Sequence, residues 1–112
     1  MRPIPKTLLT SSCTVRTPVE GPGGHPGYSE PRRISNVRYE RARGLSASSP
    51  YRRQGAGGGT LYIDARNSAG AFEGPAGSLV SVDGAACEAC AESTERFDGP
   101  GGRVHHWEVT LS

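Results

Sequence analysis

Apolar and polar residues alternate with a period of two in several short runs, separated by clusters of Gly, Pro, Asn and Asp. No run sustains a helical period. The clearest alternation is near the C-terminal end, at residues 105–111, where Trp107, Val109 and Leu111 interleave with His106, Glu108 and Thr110. One face is apolar and the other polar, as a strand of a barrel or sandwich requires. Residues 34–41 place Val37 and Tyr39 on one face and Arg38 and Glu40 on the other, and residues 60–65 align Leu61 with Ile63. These two runs also read as half-buried strands.

Three weaker runs complete the set. Residues 8–17 are rich in Thr, Ser and Val and stop before Pro18. Residues 78–82 lead into Asp83-Gly84, a two-residue hairpin signal because both positions favour positive φ. Residues 85–92 form the weakest candidate, since their Ala residues have little β preference. The expected fold is therefore all-β, a small six-stranded β-barrel or sandwich, with one domain over residues 1–112. Residues 1–7 are expected to form an N-terminal arm and residues 18–31 a Gly/Pro loop, while residues 43–59 form a long Gly/Ser/Arg-rich loop. A connection that long is uncommon in a small domain, and such loops are usually either functional or disordered.

Composition agrees with a modest core between polar connections: only 34% of residues are hydrophobic, against 16 Gly and 9 Pro. No stretch is apolar for the length of a membrane span, and only Leu8 and Leu9 follow the charged, Pro-containing start. A soluble protein made in a cytoplasm, with no membrane partner, is expected.

Charge adds a second pattern. Residues 1–56 carry ten Arg or Lys against three Glu, a net of +7, whereas residues 57–112 carry three Arg against eight Asp or Glu, a net of −5. Such a split suits head-to-tail self-association, in which a basic surface meets an acidic surface of the next copy. It equally suits a basic loop against nucleic acid, and a fold that interleaves the halves would cancel it.

The candidate chemistry is thin. Cys13, Cys87 and Cys90 are an odd number of thiols and read as reduced. Cys87 and Cys90 have the spacing of a zinc pair, yet no second pair exists, and on a strand they point to opposite faces. His105 and His106 are adjacent, so a regular strand sends them to opposite faces as well. No nucleophile sits in a Gly-flanked elbow, and Asp64 and Asp83 follow strands where turn-forming Asp is usual. The Gly-rich run 55–59 lacks the Lys-Ser/Thr ending and the helix of a phosphate loop. No enzyme activity, cofactor or metal is expected.

The Arg-rich stretch has more substance. Arg32, Arg33, Arg38, Arg41, Arg43, Arg52 and Arg53 fall within residues 32–53, with Tyr39 and Tyr51 between them and Gln54 just beyond. Arg and Tyr together hold phosphates and stack on bases, and the same pair is enriched in protein interfaces. A small nucleic-acid-binding β-barrel is thus one reading of the chain.

Several segments, in order, resemble the minor capsid proteins of phages and prophages of Gram-positive bacteria. They are Met1-Arg2-Pro3-Ile4-Pro5-Lys6-Thr7-Leu8-Leu9, Ile34-Ser35-Asn36-Val37-Arg38-Tyr39-Glu40, Leu61-Tyr62-Ile63-Asp64-Ala65-Arg66-Asn67-Ser68, Asp83-Gly84 and His105-His106-Trp107-Glu108-Val109. This chain is richer in Gly, Pro and Arg than such proteins, and its 85–90 segment stands where an aromatic and β-branched strand is more usual. The resemblance implies a head-completion or head–tail connector component of the stopper type. Such a protein forms a homo-oligomeric ring in the neck of the virion, between portal or adaptor and tail-completion proteins, after synthesis in the bacterial cytoplasm. By the same resemblance, Arg43, Tyr51, Arg52, Arg53 and Gln54 belong to a loop facing the channel or a neighbour, with non-specific contact to packaged DNA. Arg32, Arg33, Arg38 and Arg41 would be its basic interface.

Overall fold

The computed structural model describes residues 2–41, 58–85 and 88–112. Six strands, β1 (Ser11–Arg16), β4 (Arg32–Arg41), β5 (Gly59–Asp64), β6 (Leu79–Val82), β7 (Ala89–Asp98) and β8 (Val104–Leu111), close into an antiparallel barrel in the order β1-β4-β5-β8-β7-β6. Closure gives every barrel strand a paired neighbour on each side, which reduces the aggregation hazard of a small sheet. A two-stranded sheet, β2 (Pro18–Glu20) with β3 (Pro26–Tyr28), stands outside it.

The expected inward residues fill the barrel. Val37, Leu61, Ile63, Trp107, Val109 and Leu111 are buried, and Tyr39 is half-buried against them. The void left among Val15, Ile34, Leu61, Ile63 and Val109 is about 10 Å³, at the lower limit for a single water. Among the described residues the barrel interior is a packed core. Ala89 and Ala91 are the small inward positions of β7 in the cluster that holds Trp107, while Cys90 between them faces out. The indole N–H of Trp107 donates to Glu73 at 2.9 Å, so the one polar atom of this large core residue is satisfied.

Three one-residue bulges bend the strands, and each shifts a side chain away from simple alternation. Ser11 pairs with Val37 and Ser12 with Ser35, which leaves Asn36 as the extra residue of β4 at φ 59°. That bulge explains how Ile34 and Val37, three apart, are both fully buried. Glu92 is the extra residue of β7 and His105 that of β8.

Several expectations need correction. The stretch 18–31 is not a loop throughout, because β2 pairs with β3 in register Pro18↔Tyr28, Val19↔Gly27 and Glu20↔Pro26. Pro is tolerated there because this ladder has no further strand to bond. Its tip, Gly21-Pro22-Gly23-Gly24-His25, and the β7–β8 turn, Gly99-Pro100-Gly101-Gly102-Arg103, make the same structure. In each a short 3-10 turn contains two positive-φ glycines, and the first Gly N–H donates to the fifth residue's carbonyl at 2.7 Å. The first strand begins at Ser11 rather than Leu8, since residues Lys6–Leu8 coil into a 3-10 turn that exposes Leu8 and buries Leu9. The weak strand runs Ala89–Asp98, not 85–92, and Gly59 is already part of β5. The Asp83-Gly84 turn forms as expected, with φ of 53° and 74° and an Ala85 N–H to Val82 carbonyl bond of 3.0 Å.

Candidate functional site

The barrel converts the charge split of the sequence into two faces. β4 carries Arg32, Arg33, Arg38 and Arg41 against Glu40, and β7 carries Glu92, Glu95 and Asp98 against Arg96. In the order β1-β4-β5-β8-β7-β6, three steps separate β4 from β7 in either direction, so the basic and acidic strands lie on opposite sides of the barrel. The halves of the sequence are not interleaved along this axis.

The arginines of β4 differ in how far they are engaged. Arg32 lies over the Phe72 ring at 3.8 Å, a contact made by the guanidinium's planar face. Arg33 donates to Ser35 and Ser12 at 3.4 and 3.5 Å. Arg38 pairs with Glu40 at 3.1 Å, and Glu40 also accepts the Tyr62 hydroxyl at 3.0 Å. Burial, then this bond to a carboxylate, raises the pKa of Tyr62. Arg41 is exposed at the strand end. On β7 Arg96 pairs with Asp98 at 2.7 Å, and that hydrogen bond raises the arginine's pKa. Glu92 and Glu95 enter no ion pair among the described residues.

Arg43, Tyr51, Arg52, Arg53 and Gln54 lie outside the described residues. The described residues Arg41 and Gly59 pair in the β4–β5 ladder. The β2–β3 hairpin leaves from the other end of β4, with Val19 and Tyr28 each 43% exposed and Arg16 stacked over Tyr28.

A third constellation sits where β5 ends and β8 begins. Asp64 is fully buried, and its carboxylate accepts the amides of Arg66 and Asn67 at 2.9 and 2.7 Å, a tight turn after β5. Its other oxygen accepts the Ile4 amide at 2.9 Å, and Asn67 Nδ2 donates to the Ile4 carbonyl at 2.8 Å. These bonds lay the N-terminal arm across the barrel end. Beside them, His105 Nε2 reaches the Arg2 carbonyl at 2.6 Å, His105 Nδ1 lies 2.7 Å from His106 Nδ1, and His106 Nε2 is 3.0 Å from Glu108. The expectation that the two imidazoles face opposite ways fails because the β8 bulge inserts His105 between Val104 and His106, turning both rings to one side. The Phe97 ring stacks on His106 at 4.7 Å. A cleft of about 780 Å³ opens next to the pair, walled by Pro3, Arg66, Pro100, Arg103 and His105.

The thiols offer little chemistry. Cys13 is buried, and burial with the nearby Asp83 pushes its pKa up to about 12. It is therefore a protonated, inert core residue near neutral pH. Cys90 is exposed, and Cys87 lies outside the described residues. Among the described residues no group of three His, Cys, Asp or Glu is placed to hold a metal ion.

Sequence reasoning located the arginines and acids but missed the barrel-end cluster. Asp64 was legible as a turn former, yet its arm contact spans sixty residues of chain and had no local signal. No family model, curated protein or solved structure matches the chain.

Proposed function

We propose that this chain is a structural protein of a tailed phage particle, a head-completion or head–tail connector component that assembles as a ring at the portal–tail junction. The observation that carries this reading is the opposed placement of basic β4 and acidic β7 on one barrel. Two complementary faces on one subunit make a heterologous, head-to-tail contact, and such contacts close into rings when the rotation allows. Faces that are nearly opposite require a small turn per subunit, hence a wide ring with an open centre. A ring multiplies modest contacts, so each interface need not be strong.

In this reading the neighbours along the particle axis are portal or adaptor proteins on one side and tail-completion proteins on the other. The segment between β4 and β5 faces the channel or the adjacent subunit, with Arg52 and Arg53 available to passing DNA. The role is assembly, without catalysis or cofactor, in the virion neck after synthesis in the host bacterial cytoplasm. The resemblance of ordered segments from Met1 to Val109 points the same way.

Cryo-electron microscopy of the particle neck tests the proposal, with density for this barrel expected as a ring between portal and tail. Absence of the chain from purified particles would sink it. Charge reversal at Arg52 and Arg53 is expected to impair ring assembly or DNA retention without unfolding the monomer. Salt-dependent binding of the isolated monomer to short DNA, with no self-association, would favour the rival reading of a nucleic-acid-binding barrel working through residues 32–53.

A further inference from the structure

We propose that the cleft at the arm end of the barrel is a binding site for a phosphate monoester of nucleotide size, gripped between Arg66 and Arg103. The inference does not rest on the ring reading, because it concerns the barrel end where β5 finishes and β8 starts. The cleft measures about 780 Å³, within the range of small-molecule sites. Its walls come from three parts of the chain: Pro3 of the arm, Ala65 and Arg66 after β5, and Pro100, Arg103 and Val104 around the β7–β8 turn.

Hydrogen bonds hold those walls in place before any ligand arrives. The Ala65 amide donates to the His105 carbonyl at 3.1 Å, which joins the β5 wall to β8. The Gly99 amide donates to the Arg103 carbonyl at 2.7 Å and closes the turn that presents Arg103. The arm is held on both sides of Pro3, by the Arg2 carbonyl 2.6 Å from His105 Nε2 and by the Ile4 amide on Asp64. A preformed cleft spares a ligand the cost of ordering the chain.

Charge decides what fits. No carboxylate among the described residues lines the cleft, and neither the Arg66 nor the Arg103 side chain has a hydrogen bond or ion pair among them. The carboxylates on the adjoining strands are already engaged. Asp64 gives both oxygens to backbone amides, Asp98 pairs with Arg96 at 2.7 Å, and Glu108 lies 3.0 Å from His106. Arg66 and Arg103 are both exposed and keep their donors for a ligand. A carboxylate has two oxygens, and one guanidinium fork saturates them. A phosphate monoester brings three acceptor oxygens and about two negative charges near neutral pH, enough for forks from both walls. The apolar lining beside the arginines, Pro3 and Val104 above all, suits an uncharged body such as a nucleoside.

The test is titration of the isotope-labelled full chain with adenosine monophosphate, followed by amide NMR shifts and by calorimetry. Saturable shifts are expected at Ala65, Arg66, Arg103 and Val104, with the β4 amides unmoved. Adenosine without its phosphate is expected to bind more weakly by about tenfold or more. Arg66→Gln and Arg103→Gln are each expected to lower affinity for the monophosphate by about tenfold or more while keeping a native spectrum. A single-stranded oligonucleotide lacking terminal phosphates should leave the cleft signals in place. Silent cleft amides, adenosine binding as tightly as its monophosphate, or both arginine variants binding like the native chain would each overturn the site. Equal binding of the oligonucleotide in the cleft would overturn the monoester assignment, since an internal diester then suffices. None of these outcomes bears on the ring, which microscopy of the particle neck tests separately.

Discussion

Asp64 accepts the backbone amide of Ile4 at 2.9 Å while itself fully buried, so the arm and the barrel end are a single hydrogen-bonded unit. Truncating that carboxylate leaves the amides of Ile4, Arg66 and Asn67 without their acceptor. Asp64→Ala is expected to cost roughly 3–5 kcal/mol, measured by urea unfolding, and Asp64→Asn less because one acceptor oxygen survives. A loss below about 1 kcal/mol for the alanine variant would mean that this carboxylate contributes little to holding the arm and the turn.

Cys13 makes stability fall at alkaline pH. Its folded pKa is about 12 against an ordinary 9.0, so between those values the unfolded chain loses the thiol proton and the native chain keeps it. Native protein then binds more protons, and unfolding free energy declines as pH rises, by about 1.4 kcal/mol per pH unit above 9. Below pH 9 the contribution is constant. Denaturation curves of wild type and Cys13→Ala at pH 8 to about 10.5 check this, the variant being expected to lack the extra slope.

Asn36 occupies the left-handed region at φ 59° as the extra residue of the β4 bulge. Asn36→Gly is expected to be tolerated within about 0.5 kcal/mol, whereas Asn36→Val should cost about 2 kcal/mol through backbone strain. Thermal unfolding of the pair of variants separates strain from the loss of the weak Asn36–Asn67 bond, which both remove. Equal losses in the two would point to that bond.

The opposed charged strands predict a compensating pair of variants. Arg32→Glu with Arg33→Glu is expected to weaken self-association by at least tenfold, and Glu92→Arg with Glu95→Arg to do the same. Mixing the two doubly substituted proteins should restore association between them, read by sedimentation velocity at low salt. Restoration failing in the mixture, or either reversal alone leaving assembly intact, would show that β4 and β7 do not meet.

Local pattern was enough to reveal the class of this protein. The alternation of Trp107, Val109 and Leu111, of Leu61 and Ile63, and the Asp83-Gly84 turn all depend on neighbours within a few residues, and each appears as expected. The uneven distribution of charge was legible too, because composition along the chain is a property of the sequence alone. Whether the two halves would cancel was not. Strand order decides that, and order depends on pairings such as Cys13 with Val82 and Gly59 with Leu111, whose partners are distant along the chain.

Tertiary structure alone decided where alternation breaks. A bulge is a mismatch between two strands, so neither strand's sequence declares it, and His105 and His106 therefore read as facing apart until β7 is set beside β8. The Gly-Pro-Gly-Gly tips show the converse: the residues were visible as breakers, but a turn that returns the chain in register needs the strands on both sides. Asp64 combines both lessons. Its sequence neighbours dictated a turn, and only the folded barrel brought the Ile4 amide to the carboxylate's remaining oxygen.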